Sequence, residues 1–234
     1  MSDTENRSSV EDVKRVSSDS LQNHSSDPHW PIQPAVHQFA DAGALGLCGF
    51  CMTAFVTGCY FAGTKSIAIP NVLVSLATFY GGTIEVLCGI WELAKGNTYN
   101  GTLHTSLGSL WLSLASIYIP SFGIIEAYAE APEQLTNALG FYFLGWCVFA
   151  VVIFLASLKS TYPVIATLVV LLTALLCLSG GFLSGSANAL KAGGILLIVT
   201  SFFGWYIVFG FIATKQNSYI RTWTLPVHIF GKKN

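Results

Sequence analysis

Long stretches without a single charged side chain dominate this sequence. No residue from Ala42 to Thr64 carries a charge, and comparable apolar runs recur almost to the C-terminus. A run of about 20 apolar residues is long enough to cross the hydrocarbon of a bilayer as a helix. Only 10% of the residues are charged, against roughly 25% in an ordinary soluble domain. That balance excludes a soluble enzyme, a nucleic-acid binder and a disordered regulator as the main reading. What remains is an all-α membrane protein.

Six spans are expected, at about 44–63, 70–94, 107–127, 137–158, 163–183 and 193–214. In lipid every backbone N–H and C=O must pair internally, so continuous apolar runs without alternation are helices and not barrel strands. Pro70 and Pro163 stand at span starts, where a proline's missing N–H costs nothing. Residues 1–40 read as a disordered tail, with eight serines among the first 26 residues and too little apolar area to offset ordering. These forty residues hold no apolar stretch of signal-peptide type, so the first apolar run acts as an uncleaved anchor. Residues 41–215 form the membrane domain, and 216–234 a second polar tail. The six cysteines all sit inside apolar runs, and read as small packing residues.

Orientation follows from Lys and Arg. With six spans both termini share one side, and that side collects nine of the eleven bases, leaving Lys65 and Lys191 opposite. The positive-inside rule places both termini in the cytoplasm. All twelve acids lie at or before Glu133, and the loop after the third span, with Glu126, Glu130 and Glu133, faces outward. The sequons at Asn6, Asn23 and Asn100 then all fall inside, where they are not glycosylated.

Glu85 is the most informative residue. It lies near the middle of the second span, where a charge costs about 3 kcal/mol by insertion scales and roughly 10 by simulation. Such a residue faces a bundle interior or a wet path; it serves either as a proton or substrate relay or as a neutral, hydrogen-bonded packing group. Glu92 follows about two turns later on the same face, roughly 10 Å along the axis. It belongs either to that path or to an interfacial pair with Lys95 one turn away. His104, placed before the third span, reads as a solvated interfacial residue, with proton handling as its other reading. No His, Cys, Asp and Glu grouping has metal-ligand spacing, no nucleophile has a base in local reach, and no cofactor motif occurs. The glycines at 46, 49, 81, 82, 89, 108, 193, 194, 204 and 210 mark close helix packing.

Several motifs then converge. The segment Val36–Leu47, ending Asp41-Ala42-Gly43-Ala44-Leu45-Gly46-Leu47, resembles the N-P-A-P-L-G-L signature of the acetate uptake transporter family. Phe79-Tyr80-Gly81-Gly82, Gly89-Ile90-Trp91-Glu92, Gly96-Asn97-Thr98 and Ile117-Tyr118-Ile119-Pro120 fit the same register, as do Asn137-Ala138-Leu139-Gly140 and Ala213-Thr214-Lys215-Gln216-Asn217. The similarity spans about residues 36–220 and is nearest to the fungal branch of plasma-membrane acetate and ammonia-outward transporters. It implies a six-helix protomer, a homo-hexamer with one path per protomer, and transport of acetate and similar short monocarboxylates, commonly with a proton. It also implies that the path begins at the signature (Asp41, Leu45, Gly46, Leu47) and narrows at Phe50, at residue 107 and at Leu171.

The chain departs from the family pattern at informative places. Asp41 replaces the signature asparagine, Ala42 and Ala44 replace both prolines, and Leu107 replaces a tyrosine. An aspartate at the mouth repels a carboxylate anion, and the lost hydroxyl removes a donor. Three functions follow as alternatives: a monocarboxylate transporter, with Glu85 supplying a proton; an exporter of ammonia or ammonium; or a degenerate family member acting as a sensor or regulatory subunit. None is an enzyme, and none needs a metal or cofactor.

Overall fold

The structure, a computed structural model, describes residues 40–220 and Thr222. The segment 1–39, most of the C-terminal tail, and the sequons at Asn6 and Asn23 lie outside the described residues. Six long helices carry the fold: α1 (Gly43–Phe61), α2 (Asn71–Ala94), α3 (Thr98–Tyr118), α4 (Pro132–Ala156), α5 (Tyr162–Ser184) and α6 (Ala187–Ile212). Five of them are long and apolar enough to cross a membrane; α3 matches them in length, at 21 residues, but carries more polar side chains. A short helical turn, Ile124–Ala127, sits between α3 and α4.

The starts of α3, α4 and α6 differ most from the sequence reading, α3 above all. It begins at Thr98 and not at Leu107, because Asn97 caps it: the Asn97 side chain accepts a hydrogen bond from the Asn100 N–H. It ends at Tyr118, since Ile119 is extended ahead of Pro120, the conformation a following proline favours. Pro120 therefore lies beyond the helix and not inside its last turn. Helix α4 starts at Pro132, where the expected start was 137, with the proline in its first turn. Helix α6 starts at Ala187, where 193 was expected, because Ser186 accepts from the Ala189 N–H and caps it. On α2, Pro70 is the residue before the helix.

The surface is inside-out relative to a water-soluble bundle. Val72, Phe79, Phe141, Val148, Val152, Leu155, Phe202 and Phe211 are exposed, while Thr53, Thr57, Ser179, Thr200 and Ser201 are buried. Apolar residues outside and small hydroxyls inside are what a helix pair in lipid requires, since packing and interhelical hydrogen bonds replace the hydrophobic drive. Ser179 of α5, for example, donates to the Gly140 carbonyl of α4 at 2.9 Å. Helix α6 packs between α5 and α1, α4 lies against α5, and α2 lies against α3 and α1. Where α1 crosses α6, a Cβ on Gly58 would come within 2.6 Å of the Gly194 carbonyl, so the approach demands glycine there.

One irregularity positions the site. Residues Phe79–Ile84 of α2 form a π-helical turn, a feature that collects at functional sites. The buried residues of α2 are Leu73, Ala77, Gly81, Gly82, Glu85, Cys88, Gly89 and Glu92. In a straight helix of ~3.6 residues per turn, one extra residue swings everything after it by about 100°. The π turn absorbs that residue, so Glu85 and Glu92 share the inner face with Leu73 and Ala77.

Candidate transport cavity

A cavity of about 300 Å3 opens where α1, α3 and α5 begin and α2 and α6 end. Gly43, Leu47 and Phe50 line it from α1, Asn100, His104 and Leu107 from α3, Leu171 from α5 and Glu85 from α2. Both Gly43, the first residue of α1, and Phe211, near the end of α6, line it, so it opens on the side from which the chain enters and leaves the bundle. At its inner end Phe50, Leu107 and Leu171 also border a small apolar void of about 20 Å3. That void continues between Trp111, Leu114, Phe143, Leu175, Leu178 and Leu197, and has room for one water at most. The three residues named from the resemblance therefore meet at one level, between a roomy half that carries the polar groups and a tight apolar half.

Glu85 is fully buried, and its Oε1 shares a hydrogen bond of 3.2 Å with His104 Nδ1. Oε2 accepts no hydrogen bond of good geometry, and the indole N–H of Trp111 close by donates none. Buried polar atoms are rarely left in this state. His104 corrects the sequence reading: it is 4% exposed and stands inside α3, not in the aqueous interface. The error came from starting α3 nine residues late. Gly46 is also explained here, because a Cβ at that position would come within 2.8 Å of His104 Nδ1. The α1 backbone must be bare for the imidazole to lie beneath it.

Asp41 and Glu92 form a separate cluster near the mouth. Glu92, fully buried, accepts hydrogen bonds from the Ala42 N–H (2.9 Å), Lys95 Nζ (3.1 Å) and Asn97 Nδ2 (2.9 Å). It ties the start of α1 to the end of α2, which realises the Lys95 pairing. A proline at position 42, as in the family signature, has no N–H to make the first of these bonds. Lys95 also lies 3.5 Å from Asp41, whose Oδ1 accepts from the Gly43 N–H. The hydrogen bond to Glu92, with the charge of Asp41 added, holds the Lys95 ammonium above its ordinary pKa. Its stabilising effect is thus complete below the unfolded value and is lost only as pH rises through the folded one. The Asp41 charge is therefore compensated and does not stand alone at the mouth.

Five of the nine sequence-named positions line the cavity: Leu47, Phe50, Glu85, Leu107 and Leu171. Gly46 sits directly behind it. Leu45 does not reach it: two residues from Leu47 on a helix, it turns away and is half exposed. Sequence reasoning missed Tyr99, Asn100, Ser160 and Thr167 as lining residues. The spacing Asn100, His104, Leu107 is an i, i+4, i+7 stripe that identifies them once the Asn97 cap is recognised. Among the described residues, no group of three or more His, Cys, Asp or Glu is placed to hold a metal ion.

A six-helix bundle whose cavity carries a few polar groups and closes on apolar side chains fits a membrane protein that passes a small solute. Comparison with known proteins gives the lineage: the chain matches the GPR1/FUN34/yaaH family over residues 24–228 and belongs to it. It is 44% identical over 190 residues to Ammonia transport outward protein 2 of Saccharomyces cerevisiae, covering 81% of this chain and 67% of that one. It is 33% identical over 192 residues to Acetate permease A of Emericella nidulans, covering 78% and 64% respectively. Among solved structures, that of the bacterial acetate channel SatP superposes with a TM-score of 0.71 at 28% identity, covering 81% of this chain and all of the other.

Proposed function

We propose that this protein carries acetate and similar short monocarboxylates across the plasma membrane together with a proton. It is a transporter and not an enzyme. Residues 41–215 form the six-span transport domain, 1–40 and 216–234 are cytoplasmic tails, and the protomers assemble as a homo-hexamer with one path each. The observation that carries the reading is the Glu85–His104 pair in the wall of a cavity that ends at Phe50, Leu107 and Leu171. A carboxylate resists an apolar passage, so its charge has to be neutralised before Leu107, and a buried acid paired with an imidazole is placed to exchange that proton. The acetate permease and acetate channel to which the chain is similar support the substrate class.

Uptake of labelled acetate by the purified protein in liposomes, with and without a pH gradient, tests it. Uptake above empty liposomes that rises with an inward proton gradient is expected; none in either condition overturns the proposal. A second reading, outward movement of ammonia or ammonium, is favoured by the 44% identical relative, whose name records outward ammonia transport. It predicts ammonia release that depends on the protein and acetate flux that does not.

A further inference from the structure

The mouth end of the cavity presents two nitrogen groups at one point. The position a Cβ on Gly43 would occupy lies 3.0 Å from Asp41 Oδ1, 3.7 Å from Asn100 Nδ2 and 4.0 Å from His104 Nε2. Gly43, Asn100 and His104 all line the cavity, and the latter two stand four residues apart on one face of α3. The Asp41 carboxylate is engaged by the Gly43 N–H and by Lys95, which leaves the two nitrogens as the groups at this point without a partner among the described residues. His104 Nδ1 is engaged by Glu85, while Nε2 takes no hydrogen bond among the described residues. Glu85 is fully buried with one carboxyl oxygen unpartnered, so the pair is a built polar site and not a solvated surface group.

We propose that Asn100 and His104 form a subsite for the carboxyl group of a short monocarboxylic acid, with Glu85 as the positioning residue that holds the imidazole. This rests on the acetate reading above and assigns its substrate contact. With Nδ1–H donated to Glu85, the neutral imidazole turns the Nε2 lone pair to the cavity. An undissociated acid donates its O–H to Nε2; the O–H bond breaks as the N–H bond forms. The products are a carboxylate and an imidazolium, the carboxylate held by the new Nε2–H and the Asn100 amide. One proton enters with one carboxylate, the net charge of the cavity is unchanged, and release reverses the step.

Other ionisable groups facing the pair are few. Asp41, paired with Lys95, lies just before α1; Cys51 comes from α1, Cys88 and Glu92 from α2, and Tyr99 from α3 itself. The cavity-lining residues of α5 and α6, such as Thr167 and Ile207, are non-ionisable. Protonation of His104 therefore sets whether the mouth attracts an anion. Because only the protonated form holds a carboxylate, apparent acetate affinity falls about tenfold per pH unit above the imidazole midpoint.

The test is histidine nitrogen NMR on the full chain in lipid nanodiscs, pH-titrated with and without acetate, the His104 signal being identified by its loss in His104→Gln. Acetate should move the His104 midpoint upward, and acetamide, which carries no acidic proton, should not. In Glu85→Gln the upward movement should shrink, and in Asn100→Leu acetate should bind more weakly. A midpoint unmoved by acetate overturns the subsite, and so does a downward movement with ammonium, which marks a cation site. In parallel, liposome uptake by His104→Gln should lose the steep pH dependence of the unmutated chain; an unchanged profile counts against the subsite. Uptake with an unmoved midpoint overturns the subsite and leaves acetate transport standing. No uptake by the unmutated chain overturns the transport reading, while the midpoint shift still decides the subsite.

Discussion

At Glu85 and Glu92 two carboxylates share one helical face and do different work. Glu92 is saturated by three donors, whereas Glu85 has one hydrogen bond of good geometry, to His104, and the Trp111 indole near its second oxygen. Glu85→Gln keeps the shape and the hydrogen-bonding capacity but cannot titrate, so folding and surface delivery should persist while proton-driven acetate uptake falls at least about tenfold, the equivalent of ~1.4 kcal/mol. Unchanged pH-dependent uptake in liposomes would reduce Glu85 to a packing group. Glu92→Ala should act on stability, because it strands an amide N–H, an ammonium and an Asn amide; a loss of about 3 kcal/mol is expected, read as earlier thermal unfolding in detergent. Both acids were legible in the sequence, since carboxylates inside an apolar run have to face a protein interior. The partner of Glu85 was not: a polar residue in a run reads as interfacial when the only gauge is hydropathy, and His104 is buried because α1 passes over it at Gly46.

Helix boundaries follow the same lesson. Apolar runs located the centres of the helices, but their starts are set by caps and prolines such as Asn97, Ser186 and Pro132, whose signal is local hydrogen bonding and not hydropathy. The π turn in α2 left no trace in composition, although the four-residue spacing of Leu73, Ala77, Gly81, Glu85 and Gly89 is too wide to stay in line on a straight helix. It makes a specific prediction. Deleting Thr83, an exposed residue of that turn whose hydroxyl donates to the Thr78 carbonyl, should convert it to ordinary α-helix with both flanks still facing inward. Deleting Leu87, exposed on the regular part of α2, should instead rotate Cys88, Gly89 and Glu92 by about 100° and abolish surface delivery. Flow cytometry of tagged protein on intact cells compares the two; equal delivery would remove the register argument.

For the whole molecule the decisive expectation is its direction in the membrane. In a cysteine-free background, a cysteine at Glu130, in the acidic loop between α3 and α4, should react with an impermeant thiol reagent on intact cells. One at Lys159, exposed between α4 and α5 at the cavity end, should react only after permeabilisation. The reverse pattern would turn the molecule over, and with it the side to which the cavity opens.

The order of groups along that cavity has a kinetic consequence. From the chain-end side a solute meets Asn100 and His104 first and Phe50, Leu107 and Leu171 afterwards; from the far side it meets the tight apolar passage first. Its ionisation is thus decided before dehydration on one approach and after it on the other. Inward and outward fluxes should saturate at different concentrations and respond to pH on different sides, while the ratio of maximal rate to half-saturation in the two directions stays tied together by the overall equilibrium.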